Sequence, residues 1–169
     1  MDEQESLIAR ESDGFGDEQT VQEPVKQLIP FRLGAEWYGL YITRVREVLP
    51  VGRITYLPSC PAHIAGIVNV RGNILSVTDL SSLLNTPSDP PTQQNRIIVV
   101  EAAGVETGLR VDEAAEVALI PLSRFEPLFQ TLDAKRAKYL ESLCRWNERL
   151  VGVLRVDCLL GISESGQSV

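Results

Sequence analysis

Two stretches of this 169-residue chain repeat one another in order, and that duplication restricts the fold more than any single motif does. Gly39-Leu40-Tyr41-Ile42 returns 69 residues later as Gly108-Leu109-Arg110-Val111, and Glu47-Val48 returns at the same offset as Glu116-Val117. A glycine and a glutamate precede each copy (Gly34 and Glu36; Gly104 and Glu106), and a proline follows each (Pro50 and Pro121). A second echo, at an offset of 76, maps Leu75, Val77, Leu80, Leu83 and Leu84 onto Val151, Val153, Val156, Leu159 and Leu160. Apolar positions match easily in any one strand; two echoes in the same order do not arise so cheaply. The pattern predicts a mainly β chain of two small barrels, each of about five short strands of about 5–6 residues. A half of ~60–70 residues is marginal by itself, so the two halves are expected to share a buried seam.

Turn residues punctuate the strands. Leu28 to Leu33 turns through Gly34-Ala35-Glu36 into Trp37 to Ile42. Arg53 to Leu57 reads as a short strand ended by the rigid bend Pro58-Ser59-Cys60-Pro61, where each proline fixes φ and removes a donor. Ile67 to Val70 and Ile74 to Val77 flank Arg71-Gly72-Asn73, a tight hairpin turn. Asp79 is placed to cap a short helix, Leu80 to Leu84, that must stop before Pro87. Ser88 to Asn95 is an exposed loop by composition. Further strands are expected at Arg96–Val100, Gly108–Val111, Val117–Ile120, Tyr139–Cys144 and Arg149–Val156, while Asp133 to Leu140 is compatible with a helix.

Charge narrows the class of partner. The net charge of −7 argues against a general phosphate-backbone binder. No run approaches the roughly 18 apolar residues of a membrane span, so no direct membrane insertion is expected. The acidic start Met1-Asp2-Glu3-Gln4-Glu5 does not read as a secretory signal. Cys60, Cys144 and Cys158, odd in number and far apart, fit no disulfide framework and suit a reducing cytoplasm. Residues 1–26 carry eight acids and two bases, net −6, and few large apolar side chains, which predicts a flexible, solubilising tail. The folded domain is expected over 27–162, with a flexible C-terminus at 163–169. Inside it the charge is banded: net +3 over 27–78, −6 over 79–133 and +4 over 134–155. Such banding in a nearly neutral domain suits steering of protein partners, or else marks unrelated solvated faces.

A search for chemistry finds little. His63, the one histidine, lies three residues from Cys60, but no third group stands ready to orient a nucleophilic pair. Zinc would require Cys60, His63, Cys144 and Cys158 to converge without the paired spacing of structural sites. Phosphate-binding glycine motifs are absent, and Asp112-Glu113 on an extended chain point to opposite faces. The residues therefore point to a binding module with no catalytic, metal or cofactor site.

One run of residues carries a family resemblance. Phe31-Arg32-Leu33-Gly34, Tyr38 to Ile42, Val45-Arg46-Glu47-Val48, Ile54-Thr55, Leu57-Pro58, Gly66 to Leu75 and Asp79-Leu80 resemble the CheW coupling-protein family. The similarity continues through Arg96 to Val100, Gly108 to Asp112, Glu116-Val117, Tyr139-Leu140 and Leu159-Leu160. The resemblance implies two intertwined SH3-like five-stranded β-barrels with short helices, and no enzymatic activity. It implies an adaptor linking the regulatory domain of a CheA-type histidine kinase to the cytoplasmic tip of chemoreceptors. Val45, Glu47, Gly66, Arg71 and Val117 match family positions implicated in that coupling, and Asn69 lies inside the most specific block. A Glu47–Arg71 ion pair is expected to tie the hairpin to the preceding strand, since the planar Arg fork suits a carboxylate. Ser76, Ser142 and Arg155 depart from the family's usual proline, glycine and Asp or Asn. Ser142 weakens the expectation of a tight turn, and Arg155 removes a capping acid whose role Asp157 could take. These departures point to a divergent subclass such as a coupler of a type IV pilus (twitching) system; a kinase-binding regulator without receptor coupling is a separate alternative.

Overall fold

The structure, a computed structural model, describes residues 23–129 and 132–161. The C-terminal segment 163–169 and most of the acidic tail lie outside the described residues. The strands are β1 (Val25–Leu33), β2 (Glu36–Tyr41), β3 (Val45–Pro50), β4 (Ile64–Val70), β5 (Asn73–Thr78), β6 (Arg96–Ala102) and β7 (Val105–Val111). They continue with β8 (Glu113–Ala114), β9 (Ala118–Pro121), β10 (Phe125–Glu126), β11 (Leu140–Trp146) and β12 (Arg149–Leu154). Three short helices, α1 (Leu80–Leu84), α2 (Ala134–Ala137) and α3 (Val156–Leu159), complete the described elements with two 3-10 turns, Ile42–Arg44 and Leu122–Arg124.

The strands form two sheets, and each sheet is assembled from both halves of the chain. The first barrel runs β3-β6-β7-β5-β4, and a bridge between Thr55 and Ile67 carries the chain after β3 back toward β4. The second runs β10-β11-β12-β2-β1-β8, with β9 also on β1. The leading hairpin of each half thus sits in the other half's barrel: β1–β2 joins β12 in parallel, and β6–β7 joins β5 in parallel. The two parallel joints share one register, because Val77 pairs with Gly108 where Val153 pairs with Gly39. Those partners are related by the same offsets of 76 and 69 that mark the repeat. β3 against β6 and the β8–β9 stretch against β1 obey it too, with Leu49–Ile97 matching Ala118–Leu28.

Strand alternation divides the apolar residues into three clusters, because successive side chains of a strand face opposite ways. One face of each sheet fills its own barrel: Val68, Leu75, Val77, Ile97 and Val99 in the first, Leu28, Ile120, Cys144, Val151 and Val153 in the second. The other faces meet in the largest cluster, where Phe31, Tyr38 and Leu40 pack with Ile98, Val100, Leu109 and the helix residues Leu80, Leu84, Val156 and Leu159. This is the shared seam. Burying a Leu, Val or Phe side chain stabilises by about 1.5–3 kcal/mol, so the seam holds the barrels together as firmly as either interior holds itself.

A buried polar strap closes the crossing between halves. The Asp112 carboxylate accepts from the backbone N–H of Gly34 at 2.7 Å and of Asp89 at 2.9 Å, pinning the connecting loop to the first hairpin. Arg32 bonds Asp89 at 2.7 Å and Glu113 at 3.2 Å, and hydrogen bonding to Asp89 chiefly raises its pKa. Gly34 adopts φ +58, and a Cβ there would stand 2.3 Å from the Pro87 carbonyl oxygen.

Several expectations are corrected locally. Val25 and Lys26 belong to β1, and Glu23 already bonds Ser123, so order begins before residue 27. Arg53 to Leu57 forms a single bridge rather than a strand, between Pro50 and the bend at Pro58. Asp79 stands at the N-cap of α1, but its carboxylate accepts from the Ser81 hydroxyl at 2.6 Å and makes no cap bond. Asp133 does cap α2, accepting from the Lys135 N–H at 3.3 Å. α3 starts after Arg155 with no side-chain cap, and Asp157 in its first turn lies 3.8 Å from Arg44.

Candidate protein-docking face on the first barrel

The β4–β5 hairpin is closed by two residues, Arg71 and Gly72, between the paired Val70 and Asn73. Both have positive φ (52 and 87), the turn whose twist matches that of the flanking strands. Glycine occupies the second position without cost, whereas Arg71 is held there against a preference of about 1–2 kcal/mol. Asn69 offsets part of that: its side-chain oxygen accepts from the Gly72 N–H at 2.8 Å. The turn therefore projects the Arg71 guanidinium outward from the barrel, and the guanidinium donates to the Glu47 carboxylate on β3. The expected pair is present.

A β-bulge brings more charge to the same place. Val45 pairs with Val100 and Glu47 with Val99, so Arg46 is the extra residue of β3. The bulge suspends strict alternation, and Arg46 and Glu47 both line one cavity of about 170 Å³ together with Arg71, Asn73, Ile74 and Glu106. Arg46 reaches Glu101 and Glu106, each at 3.2 Å. The outcome is a chain of alternating charges, Arg71–Glu47 beside Glu101–Arg46–Glu106, around the mouth of the first barrel. Exposed Ile74 (64 % accessible) stands at its edge. Exposed pairs of this kind contribute roughly 0–1 kcal/mol each to stability, so their arrangement bears on recognition more than on folding.

The six residues singled out by resemblance divide into three groups. Glu47, Asn69 and Arg71 converge on this face. Val45 and Gly66 lie beneath it: Val45 packs against the seam, and Gly66 follows the bulge of β4, whose extra residue is Ala65. A Cβ on Gly66 would stand 2.3 Å from the Thr55 carbonyl oxygen and 2.9 Å from the Ile54 side chain. Gly66 is required because Thr55 must approach to form the closing bridge. Val117 lies on the second barrel, exposed before β9, at the position the repeat equates with Val48. Ser142, the repeat equivalent of Gly66, likewise follows a bulge in β11, at Glu141, so the second barrel makes the same irregularity without glycine.

Arg46, Glu101 and Glu106 escaped the sequence reading as site residues. Glu106 was visible as part of the repeat, but the bulge that aims Arg46 at it leaves no local trace. Among the described residues no three of His, Cys, Asp and Glu converge as metal ligands would. Cys144 is buried, and burial pushes its thiol up to about 11. No helix among the described residues is long and apolar enough to cross a membrane.

Comparison with known proteins agrees with this geometry. The chain is 27% identical over 143 residues to the Chemotaxis protein CheW of Bacillus subtilis, covering 85% of this chain and 91% of that one. It is 33% identical over 115 residues to the Protein PilI of Pseudomonas aeruginosa, covering 68% and 65% respectively. Among solved structures, the scaffolding protein TtCheW from Thermoanaerobacter tengcongensis superposes with a TM-score of 0.74 at 30% identity, over 86% of this chain and 97% of that one. The family model described as CheW-like domain matches residues 27–164. Its two exchanged barrels and that match over most of its length place the chain in one family: it belongs to the CheW-like domain proteins.

Proposed function

We propose that this chain is a non-enzymatic chemotaxis-type adaptor, and that the charged mouth of the first barrel is one of its docking faces. The observation that carries the reading is convergence: Glu47 on β3 meets Asn69 and Arg71 of the β4–β5 hairpin on one exposed face, and they are held by turn, bulge and ion pair. Such a face presents directed donors and acceptors to a protein surface and offers no nucleophile with its base, so recognition is its chemistry. The partners are the regulatory domain of a CheA-type histidine kinase and the cytoplasmic tip of a chemoreceptor. The adaptor works in the cytoplasm, recruited to membrane-associated receptor arrays. Val117 and its neighbours on the second barrel supply a separate contact, as linking two proteins requires.

Reconstitution with kinase and receptor fragment tests this. The chain is expected to restore receptor control of autophosphorylation, and Arg71→Glu to abolish it while the fold persists. Binding to neither partner defeats the reading. A second reading, a coupler of a type IV pilus chemosensory system, draws on the 33% identity to Protein PilI. Exchanging the receptor fragment in the same assay for one from a pilus system separates the two.

A further inference from the structure

The second barrel carries an apolar groove where the first carries its charged cavity. It has a volume of about 420 Å³ and opens beside the β1–β2 turn, between β2, β12 and α2. Trp37, Phe129, Leu132 and Leu150 give it an apolar floor, with Phe129 47% and Leu150 38% accessible. Two arginines stand over it. Arg136 is committed to Glu36 at 3.2 Å and to the carbonyl of Leu84 at 3.2 Å. Arg149 lies over the rings of Trp37 and Trp146 at 4.6 and 5.6 Å, and among the described residues it has no carboxylate partner. An apolar trough with an unneutralised guanidinium at its lip fits an acidic segment bearing large apolar side chains.

We propose that the chain's own N-terminal segment docks in this groove in cis. Residues 1–22 hold seven acids against one base and place Leu7-Ile8 and Phe15 among them. That is the complementary chemistry: carboxylates for Arg149, aliphatic and aromatic anchors for the floor. Reach is sufficient. β1 is nine residues long and the groove lies at its far end, about 30 Å from Val25. Phe15, eight residues before Glu23, extends up to about 29 Å, which carries it along β1 toward the groove. Leu7 and Ile8, at least fifteen residues before Glu23, reach about 50 Å and span the groove with slack. Tethering at that length raises the local concentration of the segment to the millimolar range, so weak contacts suffice. Docked there, the segment covers the apolar groove of the second barrel.

Of the chain's two tryptophans, Trp37 lines the groove and the Trp146 ring lies 5.3 Å from that of Trp37, so their emission responds to what occupies the groove. Iodide quenching is measured in the full chain and in the full chain carrying Leu7→Ser, Ile8→Ser and Phe15→Ser. The triple variant is expected to emit further to the red and to quench more strongly. A synthetic peptide of residues 1–22, added to that variant, is expected to restore the shielded signal. Arg149→Gln in the same variant is expected to weaken the peptide about 5-fold, and a peptide lacking the three apolar anchors about 10-fold or more. Identical emission and quenching in the two full chains overturns docking in cis, even where the peptide binds. Shielding that fades on dilution, with a dimer in sedimentation, also overturns it, because a second copy then supplies the segment.

Discussion

The mouths of the two barrels occupy equivalent places in the repeat and are filled in opposite ways. In the first, Glu106, Val70 and Asn73 surround Arg46, Glu47 and Arg71, and the surface is a chain of ion pairs. In the second, the same positions are Trp37, Trp146 and Arg149: two rings 5.3 Å apart, tilted by 56°, under a guanidinium. The hairpin turns match as well: Arg71-Gly72 and Asn147-Glu148 all have positive φ. One backbone therefore supports a polar, directional face and an apolar, adhesive one, and the difference lies wholly in side chains. A duplicated scaffold gains two unlike contacts in this way without altering its strand register.

The largest expected asymmetry is at the residues that follow the bulges. Gly66→Val drives a side chain into the Thr55 carbonyl and is expected to cost more than ~3 kcal/mol or to prevent folding, whereas Ser142→Val costs under ~1.5 kcal/mol; urea denaturation of the two variants decides it. Equal losses would mean that the bulges are equally tight.

Alkali should separate the barrels next. Burial, then Glu36, pushes the Tyr38 hydroxyl up to about 12, and burial pushes Cys144 up to about 11, while the equivalent Thr107 and Val68 do not ionise. Both folded pKa values lie above the unfolded ones, so this stabilisation is complete below pH ~9 and falls as the pH rises through 9–11 for Cys144 and 10–12 for Tyr38. A loss of about 2–3 kcal/mol for each fully separated pair is expected, and Cys144→Val is expected to flatten the 9–11 limb of a stability profile.

A smaller difference lies in the seam. Thr107 bonds the hydroxyls of Ser76 at 3.0 Å and Thr78 at 2.9 Å, where the second barrel has Tyr38 against Gly152. Thr107→Val is expected to lower thermal stability by about 1–2 kcal/mol by orphaning the buried Thr78 hydroxyl, and Gly152→Ser, which meets Tyr38 and Leu140 instead, is not expected to rebuild the network. The smallest effect belongs to the charged mouth: a double-mutant cycle on Glu47 and Arg71 is expected to give under ~1 kcal/mol of coupling in stability.

Much of this was legible in the sequence because it is local or periodic. The offsets of 69 and 76 anticipated two equivalent barrels, and Arg71-Gly72-Asn73 read as a tight turn, of which Asn73 proves to be the first residue of β5. The Glu47–Arg71 pair followed from the planar fork of arginine. What stayed hidden depends on distant partners. The parallel joints, Trp37 with Val151 and Val77 with Gly108, unite residues far apart, and periodicity within a strand says nothing of its neighbour. The bulge at Arg46 has no residue signature, since any side chain is accepted there. Asp79 looked like a cap by type and position, yet Ser81 offered its carboxylate a nearer donor. The aromatic groove was missed because Trp37 and Trp146 are joined only when β12 lies beside β2.

The exchange of hairpins also dictates an order of events as the chain is made. β1 and β2 emerge first, with Phe31 and Leu40 apolar on the face meant for the seam, but their parallel partner is Val151 to Val153. Neither barrel has all its strands until the second half is present, because β6 and β7 complete the first and β11 and β12 the second. Non-local pairings of this kind fold slowly, since loop closure precedes the contacts that reward it. A half-made chain is thus a pair of unclosed sheets: the first barrel has all its strands once Val111 is made, and the second only at Leu154.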